Sequence, residues 1–213
     1  MSSLLYEHPV VARTVDVDQA MKSLEPLIDK TFGHSYECEQ PAELPGTSLL
    51  AHYYYPGASR VAGRDGLIVE VRPDHGQQWL GTFAFGQIAP MGTSGVFTTP
   101  DPDRFCVVAR GEGYFVSANA PESWERVQAN PIIDVRPIGA KGIMIFADFT
   151  QLVAYGQTGL KWKSKRLSWD NLRVIEVTDT SIKGEFWDIR SETTARFVVD
   201  LATGTHLGGV EED

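Results

Sequence analysis

Cysteine is nearly missing from this chain: Cys38 and Cys106 are the two thiols among 213 residues. Two are too few for a secreted disulfide framework, and a chain of this length can bury a core without one. Cys106, inside the apolar run FCVVA, reads as a buried thiol. Long apolar runs are missing too, and no stretch approaches the roughly 20 residues that a helix needs to cross a bilayer. The opening MSSLLYEHPVV has no basic segment followed by an apolar one, so a secretory signal is not expected. These absences predict a cytoplasmic protein with no membrane partner. Basic charge is also scarce, with 19 Lys and Arg against 28 Asp and Glu, a net charge of −9. Nucleic-acid binders gain affinity by neutralising phosphates, so no nucleic-acid partner is expected. The acidity suits a basic protein partner reached by electrostatic steering.

Motifs that carry chemistry are lacking as well. Neither G-x-G-x-x-G nor a phosphate-binding loop occurs, which removes the sequence case for a nucleotide cofactor. Ser94 in GTSG has no nucleophile-elbow pattern around it. Asp101 and Asp103 are split by a proline that favours a turn, and calcium-loop spacing is absent. His34 and Cys38 lie four apart, the spacing of a shared helix face, but they follow Gly33, which ends helices, and no second ligand pair exists. No metal, no cofactor and no catalytic residue is therefore predicted. A small hydrolase with a site assembled from scattered His, Asp and Ser residues, His52 or His75 among them, is the alternative.

What the chain does have is a strand rhythm. Twenty Gly and twelve Pro are scattered rather than clustered, as tight turns require. One helical stripe comes first: Met21, Leu24, Leu27, Ile28 and Phe32 recur at helical spacing over 18–33, between Asp18 as N-cap and Gly33 as stop, with Pro26 dissenting. Beyond it, 47–55, 66–72 and 79–85 read as strands, and RFCVVARGEGYFVSAN as a hairpin turning near Arg110–Gly113. Residues 86–104 are rich in turn formers and predict an exposed connection; 121–128, with Pro121 at a first-turn position, predict a short helix. IIDVRPI, GIMIFA, QLVAYG, GLKWKS, LRVIEV, SIKGEFWDI, RFVVDL and THLGG then follow at short, even spacing. Trp169-Asp170 and Trp187-Asp188 are too close together to mark propeller repeats of about 40–45 residues.

The expected fold is mainly β, with antiparallel sheets in a sandwich, barrel or blade-like meander and one N-terminal amphipathic helix. A soft boundary at 137–142 would divide a helix-plus-sheet half, 1–137, from an antiparallel meander half, 138–213, with one continuous domain over 1–213 as the alternative.

Candidate binding residues come from charge and aromatic placement. KWKSKRLSWD, 161–170, holds the densest basic cluster of an acidic chain, with Trp162 and Trp169 among the cations. Alternation of Leu160 and Trp162 with Lys161 and Lys163 fits a strand with one wet face. Lys165 and Arg166 fall in a turn that this alternation does not fix. Three consecutive tyrosines, 53–55, put the Tyr54 ring opposite its neighbours in a strand. Lys165, Arg166, Trp162, Trp169 and Tyr54 are the predicted binding set. The functional expectation is a non-enzymatic interaction protein, in one version an immunity-type inhibitor of a basic protein, working through loops or an open sheet face. Homo-oligomerisation is compatible with it.

Overall fold

The structure is a computed structural model, which describes residues 27–41, 49–58, 65–87 and 92–210. Residues 18–26 of the expected helix lie outside the described residues. Its last part is extended: β1 (Leu27–Asp29) pairs in parallel with a strand some seventy residues on. Pro26, which denies a helix a backbone donor, stands immediately before that strand.

Four sheets follow one another along the chain. Sheet I holds β2 (Tyr36–Glu39), β3 (Ala51–Tyr55), β4 (Gly66–Pro73) and β5 (Trp79–Ala84) in the order β2-β4-β5-β3, with β3 parallel to β5. Sheet II is the meander β6 (Gly95–Thr98), β7 (Arg104–Ala109), β8 (Glu112–Ser117) and β9 (Trp124–Arg126), with β1 added beside β6. Sheet III is the meander β10 (Asp134–Ile138), β11 (Ile143–Ala147), β12 (Leu152–Gly156) and β13 (Gly159–Lys163). Sheet IV is the meander β14 (Arg173–Val177), β15 (Ser181–Asp188), β16 (Thr193–Asp200) and β17 (His206–Gly208).

Strand alternation decides how the sheets stack. In β7, Phe105, Val107 and Ala109 join a core with Val69, Val71 and Trp79 of sheet I, while Cys106 and Val108 join Met144 and Phe146 of sheet III. In β11, Ile143 and Ile145 turn the other way, toward Ile182, Phe186 and Phe197 of sheet IV. The stack therefore runs I–II–III–IV, and the two middle sheets are covered on both faces. Strands in such sheets need apolar side chains in both directions, which explains the unbroken runs FCVVA and IMIFA. End sheets have one wet face, and β4 and β15 alternate accordingly. The middle core draws residues from both sides of 137–142.

Turn chemistry sets the registers. Between β7 and β8, Arg110 and Gly111 take φ of 47° and 84°, the two positive values that a tight two-residue hairpin demands. Between β11 and β12, the buried Asp148 carboxylate accepts from the Thr150 and Gln151 amides at 2.7 and 2.9 Å and from their side chains at 2.9 and 3.0 Å. A buried carboxylate that accepts four hydrogen bonds locks the turn instead of weakening it.

Three segments differ from the sequence expectation. Residues 95–98, inside the expected exposed connection, form β6, which is buried in sheet II. Val96 and Phe97 point to opposite cores, so the strand shows no amphipathic alternation. Within 121–128 there is no helix: Trp124 pairs with Val116, and its ring packs 5.8 Å from Tyr55 and 6.2 Å from Tyr114. That burial outweighs the Pro121 signal, which is a local preference only. In β13 a bulge opposite Ala154 and Tyr155 places Leu160 and Trp162 on opposite faces. Leu160 is consequently exposed and Trp162 buried, where simple alternation had both inside.

The double-sided burial predicts where stability resides. Phe146 is fully buried, with the Phe115 and Tyr155 rings each 5.7 Å away. Phe146→Ala is expected to cost about 3–5 kcal/mol in urea unfolding. Val198→Ala, on the wet face of sheet IV, is expected to stay within about 0.5 kcal/mol.

Candidate functional site

Residues 164–172 lead from β13 to β14 without regular structure, yet they are pinned closely to sheet III. The Ser164 amide donates to the Leu152 carbonyl at 2.9 Å, and the Leu167 amide to the Thr150 carbonyl at 2.7 Å. Ser164 and Leu167 are both buried, so Lys165 and Arg166 between them are lifted into solvent on a fixed pedestal. The Arg166 guanidinium lies 4.8 Å from the Trp169 ring centre, a cation–π contact at the surface. Ser168, wholly buried, accepts from the Asp170 amide at 3.0 Å and ends the excursion.

Opposite this pedestal stands the turn joining β16 to β17. The Asp200 carboxylate accepts from the amides of Ala202 and Thr203 at 3.1 and 2.8 Å and from the Thr203 hydroxyl at 2.7 Å. The Thr203 hydroxyl is the main reason that this carboxyl is held below its ordinary pKa. Gly204, at φ +74°, lies flat on the Trp162 indole, and a Cβ there would sit 2.6 Å from the ring. The indole N–H donates to the Leu201 carbonyl at 3.0 Å. Trp162 thus joins sheet III to the turn of sheet IV, and only glycine allows the approach.

Between pedestal and turn lies an open cleft of about 520 Å³. Lys163, Lys165, Arg166 and His206 line it, with the hydroxyls of Thr203 and Thr205. His206 Nδ1 donates to the Gly208 carbonyl at 2.7 Å, which leaves Nε2 for a ligand. Many other cations are taken, although Lys161, Arg110 and Arg196 form no ion pair among the described residues. Arg72, Arg104, Arg126, Arg136, Arg173 and Lys183 each hold a carboxylate within 3.3 Å. Lys163, Lys165 and Arg166 hold no ion pair among the described residues. The nearby carboxylates of Asp170 and Asp200 are occupied by backbone amides of their own turns. Among the described residues the cleft thus presents cations without an ion-pair partner, an arrangement suited to carboxylate or phosphate groups.

Of the predicted binding residues, Lys165 and Arg166 line this cleft, and Trp169 stands against Arg166 at the surface. Trp162 lies beneath it as a buried support, without a surface to offer a partner. Tyr54 is on the outer face of sheet I and takes no part in it. Thr203, Thr205 and His206 escaped sequence reasoning, because they reach the cleft from a weak terminal strand about forty residues away.

Tyr54 belongs to a second hollow of about 510 Å³, which also holds His52, Thr82 and Arg110. His52 bridges two hydroxyls: Nε2 is 2.7 Å from Thr82 Oγ1, and Nδ1 is 3.1 Å from Tyr54 OH. The Tyr54 and His52 rings stack at 4.3 Å. His75 is exposed elsewhere, and His34 Nδ1 contacts the Phe32 carbonyl at 3.0 Å. Cys38 and Cys106 are buried free thiols, and burial raises the pKa of both. Among the described residues no three His, Cys, Asp or Glu side chains are grouped to hold a metal ion.

No protein-family model matches the chain, and no curated protein matches it. Function has to be read from the geometry.

Desolvation holds the His52 imidazole below its ordinary pKa. The folded state thus favours the neutral ring, so this stabilisation is full above the unfolded-state value and is lost as pH falls through it toward the folded one. Urea midpoints measured across that range should fall more for the native protein than for His52→Gln.

Proposed function

We propose that this protein is a non-enzymatic binding protein of the cytoplasm that holds an acidic segment of a partner protein in the cleft beside Lys165 and Arg166. One observation carries the reading: three cations without carboxylate partners among the described residues converge on a single cleft in a chain of net charge −9. Keeping like charges together costs free energy unless an anion joins them, and it is the arrangement that binding sites for anions use. Trp169, half-exposed beneath Arg166, adds an amphipathic surface of the type that dominates binding energetics.

The immunity-type version, with a basic partner, draws its support from net charge alone. Many of the described carboxylates are already neutralised by their neighbours, as in the pairs Glu39–Arg72, Glu125–Arg104 and Glu176–Lys183. Local geometry thus favours an acidic partner over a basic one.

A second reading, a small hydrolase centred on His52, has one observation in its favour: the imidazole bridges two hydroxyls beside a hollow. Against it, Thr82 is 4% exposed, which shields its hydroxyl from any substrate. A broad ester and amide substrate screen decides, because a turnover abolished by His52→Gln in a folded protein would favour the enzyme.

The binding reading is tested with a labelled glutamate-rich peptide titrated at low and moderate salt. Native protein is expected to bind it in a salt-sensitive manner, and Lys165→Glu with Arg166→Glu to weaken binding by about tenfold or more. Both side chains are exposed, so stability should change by no more than about 0.5 kcal/mol. Equal binding by the reversed variant would end this reading.

A further inference from the structure

We infer that the acidic segment binds as an added β-strand along the edge of β13 that no described strand covers, an inference that rests on the acidic-partner reading of the cleft. Sheet III has the order β10-β11-β12-β13, so β13 lies at its edge, with β12 as its paired neighbour among the described residues. An edge strand offers a row of backbone donors and acceptors to any extended chain laid beside it.

The charges of this edge select the chain that can lie there. Lys161, Lys163, Lys165 and Arg166 follow one another along β13 and its exit. The bulge places Lys161 beside Trp162, toward sheet IV, where it lines a smaller hollow of about 270 Å³ with Asp179, which pairs with Lys141, and Asp200, which is held by its own turn. Lys163 lines the larger cleft on the other side of the Gly204–Trp162 contact. Cations thus flank the edge strand on both sides of its one fixed contact with the opposing turn.

Cross-strand neighbours have Cβ atoms about 4.5–5.5 Å apart, close enough for opposite charges to attract and like charges to repel. A second β13 edge would set lysine against lysine, which disfavours self-pairing. An extended segment with acidic residues at successive positions would present carboxylates on both faces, toward Lys161 on one and Lys163 on the other, and its flank would reach Lys165 and Arg166. Backbone pairing would supply affinity, and the lysines the choice of sequence.

The test uses the full chain and a peptide of about eight residues repeating Glu-Glu-Val, so that both faces carry carboxylates. Binding should slow hydrogen exchange at β13 amides, and N-methylation of alternate peptide nitrogens should weaken it by about tenfold or more. A Lys161→Glu, Lys163→Glu variant should lose the Glu-Glu-Val peptide and acquire affinity for a Lys-Lys-Val peptide. If the N-methylated peptide binds as well as the plain one, or inorganic phosphate displaces it at equal concentration, strand addition is overturned while the acidic-partner reading stands. If neither peptide binds, both fall. If the free protein forms a dimer that already protects β13, the edge belongs to a second copy and the inference is overturned.

Discussion

A sheet buried on both faces has no polar side to turn toward water, and two of the four sheets here are of that kind. Every residue of FCVVA and IMIFA enters a core, one neighbour upward and the next downward. Such sheets cannot stand at the surface, so sheets I and IV must close the stack, each with one apolar and one wet face. Polar and charged side chains are thereby pushed to the outer faces of the end sheets, the sheet edges and the connecting turns. The candidate cleft lies on such a rim, where the edge of sheet III meets a turn of sheet IV. Its location follows from the stacking before any chemistry is considered.

Within that rim one contact fixes the geometry. Trp162 crosses from β13 into the core shared with sheet IV, and its indole donates to Leu201 while Gly204 covers its face. Removing the ring would open a void and free the turn that carries Thr203, Thr205 and His206. A large aromatic side chain at this point therefore supports both the packing and the shape of the cleft. The cations around it are held less tightly but start from anchored backbone, since Ser164 and Leu167 are buried on either side of Lys165 and Arg166. A binding surface preorganised in this way loses less conformational entropy when a partner arrives.

Most strands were legible in the sequence because short apolar runs and turn formers alternate from residue 142 onward at hairpin spacing. The stacking order was not, since which face of a strand meets which sheet is decided by tertiary contacts. Local signals failed where burial competed with them. Pro121 suggested a helix, yet Trp124 gains more by packing on Tyr55 and Tyr114 in a strand. Turn formers around Val96 and Phe97 hid a buried strand of four residues. In KWKSKRLSWD, period-two alternation placed Leu160 and Trp162 on one face, and one bulge separated them. In the same stretch, Arg166 and Trp169 stay neighbours in space because they are neighbours in sequence. His206 had no such local signal.

Net charge and local charge point in opposite directions in this molecule, and the distance over which each acts resolves the contrast. At physiological ionic strength the field of an exposed charge is screened within about 8 Å, so a partner near the cleft responds to what lies beside it. There, Lys163, Lys165 and Arg166 have no compensating carboxylate among the described residues. Farther away the acidic surplus dominates and repels acidic molecules weakly. An acidic partner would gain attraction only on reaching the cleft, so association is slowed for acidic proteins in general and rewarded for those that present an extended segment to this edge. On the proposed reading, the acidity that argues against nucleic acid would act as a filter on which acidic partners bind.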